Sequence, residues 1–144
     1  MDNRNDISFK LAVITTEQFV IIEDNFAKEA DVKVGLDFRF AADKEQKLIA
    51  QFNTFIFSTN DKPFLLIEAG CHFAISNDSW EKMHDNKLNK LIVTKEFLQQ
   101  MTMLTIGTTR GILHAKIEGT PFYQYLVPLI NVEELIKEDK ALEF

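Results

Sequence analysis

Apolar and polar residues alternate along most of the first half of the chain, which is the pattern of half-buried β-strands. The alternation runs through four segments, at 7–22, 32–40, 47–58 and 64–76. In the first segment it is weakest at Thr15 and Thr16, where an interruption is expected. The turns at 41–45 and 59–63 are short and rich in turn-forming residues, so the pattern predicts an antiparallel four-stranded sheet.

The pattern changes near residue 78 to a helical one. Residues 77–83 indicate a short helical turn or loop, and the residues up to Lys90 are polar. Thr94 is a good N-cap for a long helix that should run to Lys116 or Ile117, before Gly119. The apolar stripe of this helix is expected to consist of Phe97, Met101, Leu104, Thr108, Gly111, Ile112 and Ala115.

A last, short helix is expected after Asn131, which is a suitable N-cap with Glu133 and Glu134 in the first turn. Four strands followed by two helices predict an α+β fold. The whole chain, 1–144, is expected to form one domain, a four-stranded antiparallel sheet with a long helix and a short C-terminal helix packed on one face.

Composition and charge narrow the functions to consider. The 144 residues carry a net charge of -6, which argues against nucleic acid as a partner because phosphate binding needs a basic surface. No window approaches 18 apolar residues, so we expect no membrane insertion. The single cysteine, Cys71, excludes an internal disulfide. Together with the polar N-terminal residues, these features predict a cytoplasmic protein.

Catalytic and metal-binding patterns are missing from the sequence. His72, His84 and His114 have no second ligand at metal-binding spacing. Cys71 and His72 are adjacent on a predicted strand, so they point to opposite faces and cannot form a thiolate–imidazole pair. We therefore expect no enzymatic activity, no metal and no cofactor, and a buried, structural Cys71.

The connection between the two helices is unusually aromatic. Phe122, Tyr123 and Tyr125 lie between Pro121 and Pro128, which stiffen the backbone on both sides. These rings either form one wall of an apolar groove or close the end of the core. Gly107 and Gly111 on the long helix also have two interpretations. Small residues four positions apart permit a close approach, either of the helix to the sheet or of the helix to a second subunit.

The second half of the chain resembles the SecB family of tetrameric cytoplasmic chaperones, which keep proteins unfolded for export. The resemblance lies in four stretches, Glu68-Ala-Gly-Cys-His-Phe-Ala-Ile75, Thr109-Arg-Gly111, Gly119-Thr-Pro-Phe122 and Leu126-Val-Pro-Leu-Ile-Asn-Val-Glu-Glu-Leu135. Family members usually have Phe before Pro, whereas this chain has Pro121 before Phe122. The first half matches the family only in the order of its elements.

The resemblance implies an ATP-independent chaperone that binds unfolded polypeptides in an apolar groove. Carried over by position, the groove residues are Phe26, Phe73, Phe122, Tyr123, Tyr125 and Val132. The resemblance also implies a homotetramer, a dimer of dimers, with the first strand and the long helix at the interfaces. On the long helix we expect Met101, Gly107, Arg110 and Gly111 to contribute.

The partners implied are unfolded preproteins or, as in SecB-like relatives of toxin–antitoxin systems, an antitoxin. The SecA motor is a further partner of the family, but typical members dock it with a C-terminal extension, and here only residues 136–144 follow the last helix. The alternative is a binding module of the same fold that serves one protein partner or a small apolar ligand.

Overall fold

The computed structural model describes residues 6–144 and confirms the α+β architecture. In chain order the elements are β1 (Phe9–Ile21), a 3-10 turn (Glu23–Asn25), β2 (Val32–Asp43), β3 (Leu48–Thr59), β4 (Lys62–Ile75), α1 (Asn77–Met83), β5 (His84–Asp85), β6 (Lys90–Val93), α2 (Lys95–Ile117), α3 (Val132–Leu135) and β7 (Lys140–Leu142). The four strands, the long helix and the short last helix of the prediction are all present.

The large sheet is antiparallel with the strand order β1-β4-β3-β2. Strands β2, β3 and β4 follow one another through short turns. The turn between β3 and β4 has Asn60 and Asp61 at positive φ, as in the two-residue hairpins that match strand twist. β1 instead pairs with β4, and its register shifts twice, between Leu11 and Val13 and again after Thr16. These two bulges flank the predicted interruption.

The face of the sheet towards α2 holds the apolar core, as the alternation in β3 and β4 requires. The core consists of two clusters. The Trp80 cluster contains Ile49, Cys71, Phe73, Ile75, Trp80, Met83, Leu91, Val93, Phe97, Leu98, Met101, Ile136 and Leu142. The Phe64 cluster contains Phe55, Phe57, Phe64, Leu65, Ile67, Ile106, Leu113, Ile117, Phe122, Val127 and Val132. The expected burial of Cys71 is confirmed.

Helix α2 begins and ends as predicted, with the Thr94 side chain accepting a hydrogen bond from the Phe97 backbone N–H. Its predicted apolar stripe is correct at Phe97, Met101 and the half-buried Ile112, which packs against the Phe64 cluster, but wrong at three other positions. Leu104, Gly111 and Ala115 are exposed, whereas Thr102, Thr105 and Thr109 are buried, as are Phe97, Leu98, Ile106, Leu113 and Ile117. The buried threonines donate to the backbone carbonyls one turn earlier, so their hydroxyl groups need no water.

A second, small sheet with the order β5-β6-β7 was not predicted. β5 and β6 form a hairpin after α1, and β7, near the C-terminus, pairs antiparallel with β6. This pairing brings residues 136–144 back to the Trp80 cluster, where Ile136 and Leu142 are buried. No helix among residues 6–144 is long and apolar enough to cross a membrane.

Candidate functional site

The aromatic rings of the helix connection close one end of the core. Phe122 lies against Phe26 and Phe64, with ring centroids 5.3 and 5.5 Å away, and Tyr125 packs on Phe64 at 5.3 Å. Phe26 reaches the same place from the connection between β1 and β2, 4.8 Å from Phe64. Only 4% of the Phe122 side chain is exposed. Of the two readings, closure of the core therefore describes Phe122, and Phe26 and Tyr125 are half-buried beside it.

The connection is held in place by its own backbone and by α2. Gly119 has φ 77°, which reverses the chain at the end of the helix. The Thr120 hydroxyl donates to the Ile117 carbonyl and accepts from the Phe122 backbone N–H. Arg110 donates to the carbonyls of Val127 and Pro128, at 3.0 and 2.8 Å. Arg110 was expected at a subunit interface. Its guanidinium group instead makes these hydrogen bonds within the chain, and they hold the connection in place.

With the backbone fixed in this way, the connection also exposes apolar side chains. Tyr123 is 64% exposed, Leu126 55% and Leu129 90%, and Leu135 of α3 follows them. Val132, predicted at the groove, is buried in the Phe64 cluster. The large apolar side chains that the connection exposes are therefore Tyr123, Leu126 and Leu129, of which Leu126 and Leu129 were not among the predicted groove residues.

Phe73 is not near the other predicted groove residues. It lies fully buried in the Trp80 cluster, against Phe9, whereas Phe26, Phe122, Tyr125 and Val132 belong to the Phe64 cluster. β4 runs the length of the sheet, and at about 3.3 Å per residue the stretch from Phe64 to Phe73 spans roughly 30 Å. The prediction that Phe73 shares one surface with the other five is corrected by this separation.

An apolar cleft of about 420 Å³ lies between β2, α2 and the C-terminal residues. Phe38 and Phe40 of β2 form one wall, Leu98 of α2 the floor, and Leu135 to Lys140 the other wall. β2 is an edge strand, so the backbone groups on its outer side lack a strand partner within the described sheet. The alternation in β2 predicted that Phe38 and Phe40 lie on the inner face. This face becomes a cleft because the C-terminal residues lie opposite it, and their position was not predicted from the sequence.

Two further apolar surfaces are open. Edge strand β1 exposes Leu11, Val13, Ile14 and Val20, with Ile22 just after it, and the solvent side of α2 exposes Met103 and Leu104. Gly107 and Gly111 lie on that side of α2 too, and nothing stands within 4 Å of a Cβ at either. Close packing on the sheet is therefore excluded for both glycines. Met101 is fully buried within the chain and offers no side-chain surface to a second subunit.

The charged residues that line the cleft are Lys137, Glu138, Asp139 and Lys140, and no histidine is among its described lining residues. His72 packs edge-on against Phe52 on the opposite face of the sheet, and His114 contacts Glu118 on the solvent side of α2. Among residues 6–144, no three His, Cys, Asp or Glu side chains lie close enough together to hold a metal ion.

Comparison with known proteins gives no family assignment. No protein-family model matches the chain, and no curated protein sequence matches it. What the chain does must therefore be inferred from its surfaces, which combine a fixed apolar connection, an open apolar cleft and two edge strands.

Proposed function

We propose that the protein is a SecB-like chaperone that holds unfolded polypeptides without ATP. The observation that carries the proposal is the set of outward apolar side chains on the connection, Tyr123, Leu126 and Leu129, together with the cleft that Phe38, Phe40 and Leu135 line. Exposed apolar surface of this kind marks an interaction site on a protein domain. The order of elements, which also fits the family resemblance, supports the same proposal.

An unfolded polypeptide offers what these surfaces need. It carries apolar side chains at irregular spacing and unpaired backbone N–H and C=O groups. The cleft and the connection would bind the side chains, and the open edge of β2 would add backbone hydrogen bonds that are independent of sequence. Several such contacts in one assembly would raise the overall affinity through effective concentration.

We propose a homotetramer as the working assembly, with the exposed faces of β1 and α2 as its contacts. On α2 the contact would use Met103 and Leu104 beside Gly107 and Gly111, all of which face solvent in the single chain. The clients would be cytoplasmic preproteins or an antitoxin. SecA remains a candidate partner on the family resemblance alone.

The second candidate function is a module that binds one protein or one small apolar ligand. The cleft supports it, since about 420 Å³ falls within the size range of small-molecule sites, roughly 300–1,000 Å³. The breadth of binding separates the two functions, because a chaperone binds many unfolded chains and a dedicated module binds one ligand.

The test is suppression of aggregation. Chemically unfolded citrate synthase is diluted into buffer without ATP, and light scattering is recorded with and without the protein. We expect suppression by the native sequence and a loss of at least fivefold in potency for Leu126→Ser with Leu129→Ser. Both side chains are mostly exposed, so the double variant should fold normally. Phe122→Ala is unsuitable, because removing a buried Phe costs about 3–5 kcal/mol of stability.

The matched control is Leu88→Ser, which removes an equally exposed leucine from the turn between β5 and β6. It should suppress scattering like the native sequence. Absence of suppression by the folded native protein would favour the dedicated module. Suppression that the double variant retains in full would place the binding surface elsewhere.

A further inference from the structure

The C-terminal residues Ile136–Phe144, here called the strap, form one wall of the cleft. Two buried side chains, Ile136 and Leu142, anchor the strap in the Trp80 cluster. Ile136 and Leu142 are 6% and 4% exposed, respectively, while the residues from Lys137 to Ala141 are all exposed. The strap therefore contributes two side chains to the Trp80 cluster while the residues between them arch over the surface. Because β7 belongs to the small sheet, departure of the strap would break no strand pairing of the four-stranded sheet.

Besides Ile136 and Leu142, the strap is held by a short strand, by hydrogen bonds and by Phe144, whose ring stacks on Trp80 with the centroids 5.9 Å apart. Its strand β7 has three residues, paired with β6 from Leu91↔Leu142 to Val93↔Lys140. The Asp139 carboxylate accepts a 2.8 Å hydrogen bond from the Lys95 backbone N–H, and Gln99 donates to the Ile136 carbonyl. The ion pair of Lys90 and Glu143 is largely exposed and therefore contributes little.

The strap also lies over Phe40, which belongs to the opposite wall of the cleft. The Lys140 ammonium group lies 5.6 Å from the centroid of the Phe40 ring, within the range of a weak cation–π contact. If the strap left, the edge of β6 would open next to Phe40, and the site of Leu142 beside the fully buried Leu91 would become free. An open strand edge with an adjoining apolar site is what an extended peptide with one apolar side chain would occupy.

We propose that the strap is an internal competitor of the client, so that an extended segment of unfolded polypeptide binds by displacing it and pairs with β6 in its place. The occupant we infer is a peptide of that chemistry because the chain's own segment Lys140–Leu142 is already bound there in the same way. This inference rests on the proposed chaperone function and adds a regulated site to it. The apparent affinity for the client would be reduced in proportion to the fraction of molecules in which the strap is open.

The test locks the strap with a disulfide. Ile92→Cys with Ala141→Cys joins directly paired residues of β6 and β7, while the native Cys71 is fully buried and does not compete. The probe is fluorescein-labelled, reduced and carboxymethylated lactalbumin, which stays unfolded and has no free thiol. Anisotropy titrations compare the oxidised protein with the same protein after reduction. We expect at least tenfold weaker binding in the oxidised form.

A matched control is Thr54→Cys with Glu68→Cys, a directly paired couple that joins the central strands β3 and β4, neither of which is placed at the proposed binding surfaces. Its affinity should not depend on oxidation. Leu142→Ala, which loosens the strap, should bind the probe at least threefold more tightly than the native sequence. Circular dichroism tests whether each variant is folded. If Leu142→Ala does not fold, the comparison of the oxidised and reduced forms of the disulfide variant still tests the proposal.

The outcomes separate the two proposals. Equal affinity of the locked and reduced forms would overturn the displacement of the strap and leave the chaperone function standing. Failure of the native, loosened and reduced proteins alike to bind the probe would overturn the chaperone function together with the inference that rests on it.

Discussion

At the scale of single residues, Gly70 shows why the outer face of the sheet is closely packed although no helix covers it. A Cβ at Gly70 would lie 2.6 Å from two ring carbons of Phe52 and 2.8 Å from the Thr15 hydroxyl. Phe52 cannot easily move, since the Arg39 guanidinium lies 3.9 Å above its ring and His72 packs against its side. The absence of a side chain at position 70 thus lets one aromatic ring lie flat across the central strand.

We therefore expect Gly70→Ala to lower the free energy of unfolding by about 1–3 kcal/mol through overpacking. Gly35→Ala is the matched control in a strand, because its nearest neighbour, the Ile56 carbonyl, is 4.0 Å away. Urea denaturation followed by circular dichroism measures both. Equal stability of the two variants would show that Phe52 moves aside at no cost.

The burial of threonine was the main residue-scale feature that sequence reasoning missed. Thr102, Thr105 and Thr109 face the sheet because each can satisfy its hydroxyl within the helix. The predicted stripe included Thr108 but not these three threonines, and it ran through Leu104 and Ala115, which are exposed. Where strictly apolar residues alternate, as in β4, the same reasoning identified the buried face correctly.

At the scale of elements, polar residues separate the two core clusters where α2 crosses β3. Gln51 is fully buried and donates a 2.8 Å hydrogen bond to the Thr102 hydroxyl. Its carbonyl oxygen has no hydrogen-bond partner among the described residues. Asn53 is also fully buried, and its amide oxygen is placed to accept a hydrogen bond from the Ile106 backbone N–H. At the centre of the contact between helix and sheet, polar side chains therefore replace apolar ones, and the unpartnered Gln51 oxygen carries a desolvation cost.

Removal of one member of the hydrogen-bonded pair of Gln51 and Thr102 should lower the free energy of unfolding more than removal of both. Thr102→Val leaves the Gln51 amide without its acceptor and should destabilise the protein by about 1–3 kcal/mol, whereas Gln51→Leu with Thr102→Val should be nearly neutral or stabilising. Denaturation midpoints of the two single variants and the double variant form a complete cycle. Strictly additive effects would mean that the hydrogen bond contributes no coupling.

The four long strands and α2 could be predicted because each carries its own periodicity and end signals, such as the Thr94 cap. β5, β6 and β7 have two to four residues each, which is too short for a period to show. Their pairing depends on tertiary contacts, above all the burial of Leu142 against the Trp80 cluster. The cleft was not predicted for the same reason, since one of its walls is the segment that β7 anchors.

At the scale of the whole molecule, the proposed tetramer makes a prediction about α2. Leu104 is 46% exposed and lies near Gly107 on the solvent side. Leu104→Glu should convert tetramers to dimers, because it buries a charge in the contact, while the thermal unfolding of each chain hardly changes. Multi-angle light scattering after size exclusion measures the mass.

The control for Leu104→Glu is Lys116→Glu, which places the same charge at an exposed position near the end of the helix. It should leave the assembly intact. A Leu104→Glu protein that keeps the native mass would exclude this part of α2 from the subunit contact, and a native protein that is monomeric would exclude the tetramer altogether.

The overall architecture was predictable from the order and spacing of the elements, whereas only some of the residues predicted to line a groove lie together. Phe26, Phe122 and Tyr125 do meet, because the two connections that carry them lie at one end of the sheet. Their aromatic character did not reveal that they fill this end instead of leaving it open. The same three side chains can close a core or line a groove, and the packing around Phe64 decides between the two.

The pairing of β1 with β4 has a consequence for how the chain folds. β2, β3 and β4 can assemble early through their short turns, but the contact of Phe9 with Ile75 must close a loop that contains all three. β1 is therefore expected to join last. Until it does, the edge of β4 and the apolar side chains of β1 are both open, and two folding chains can pair with each other instead. A protein proposed to protect other unfolded chains would thus refold most efficiently when it is dilute.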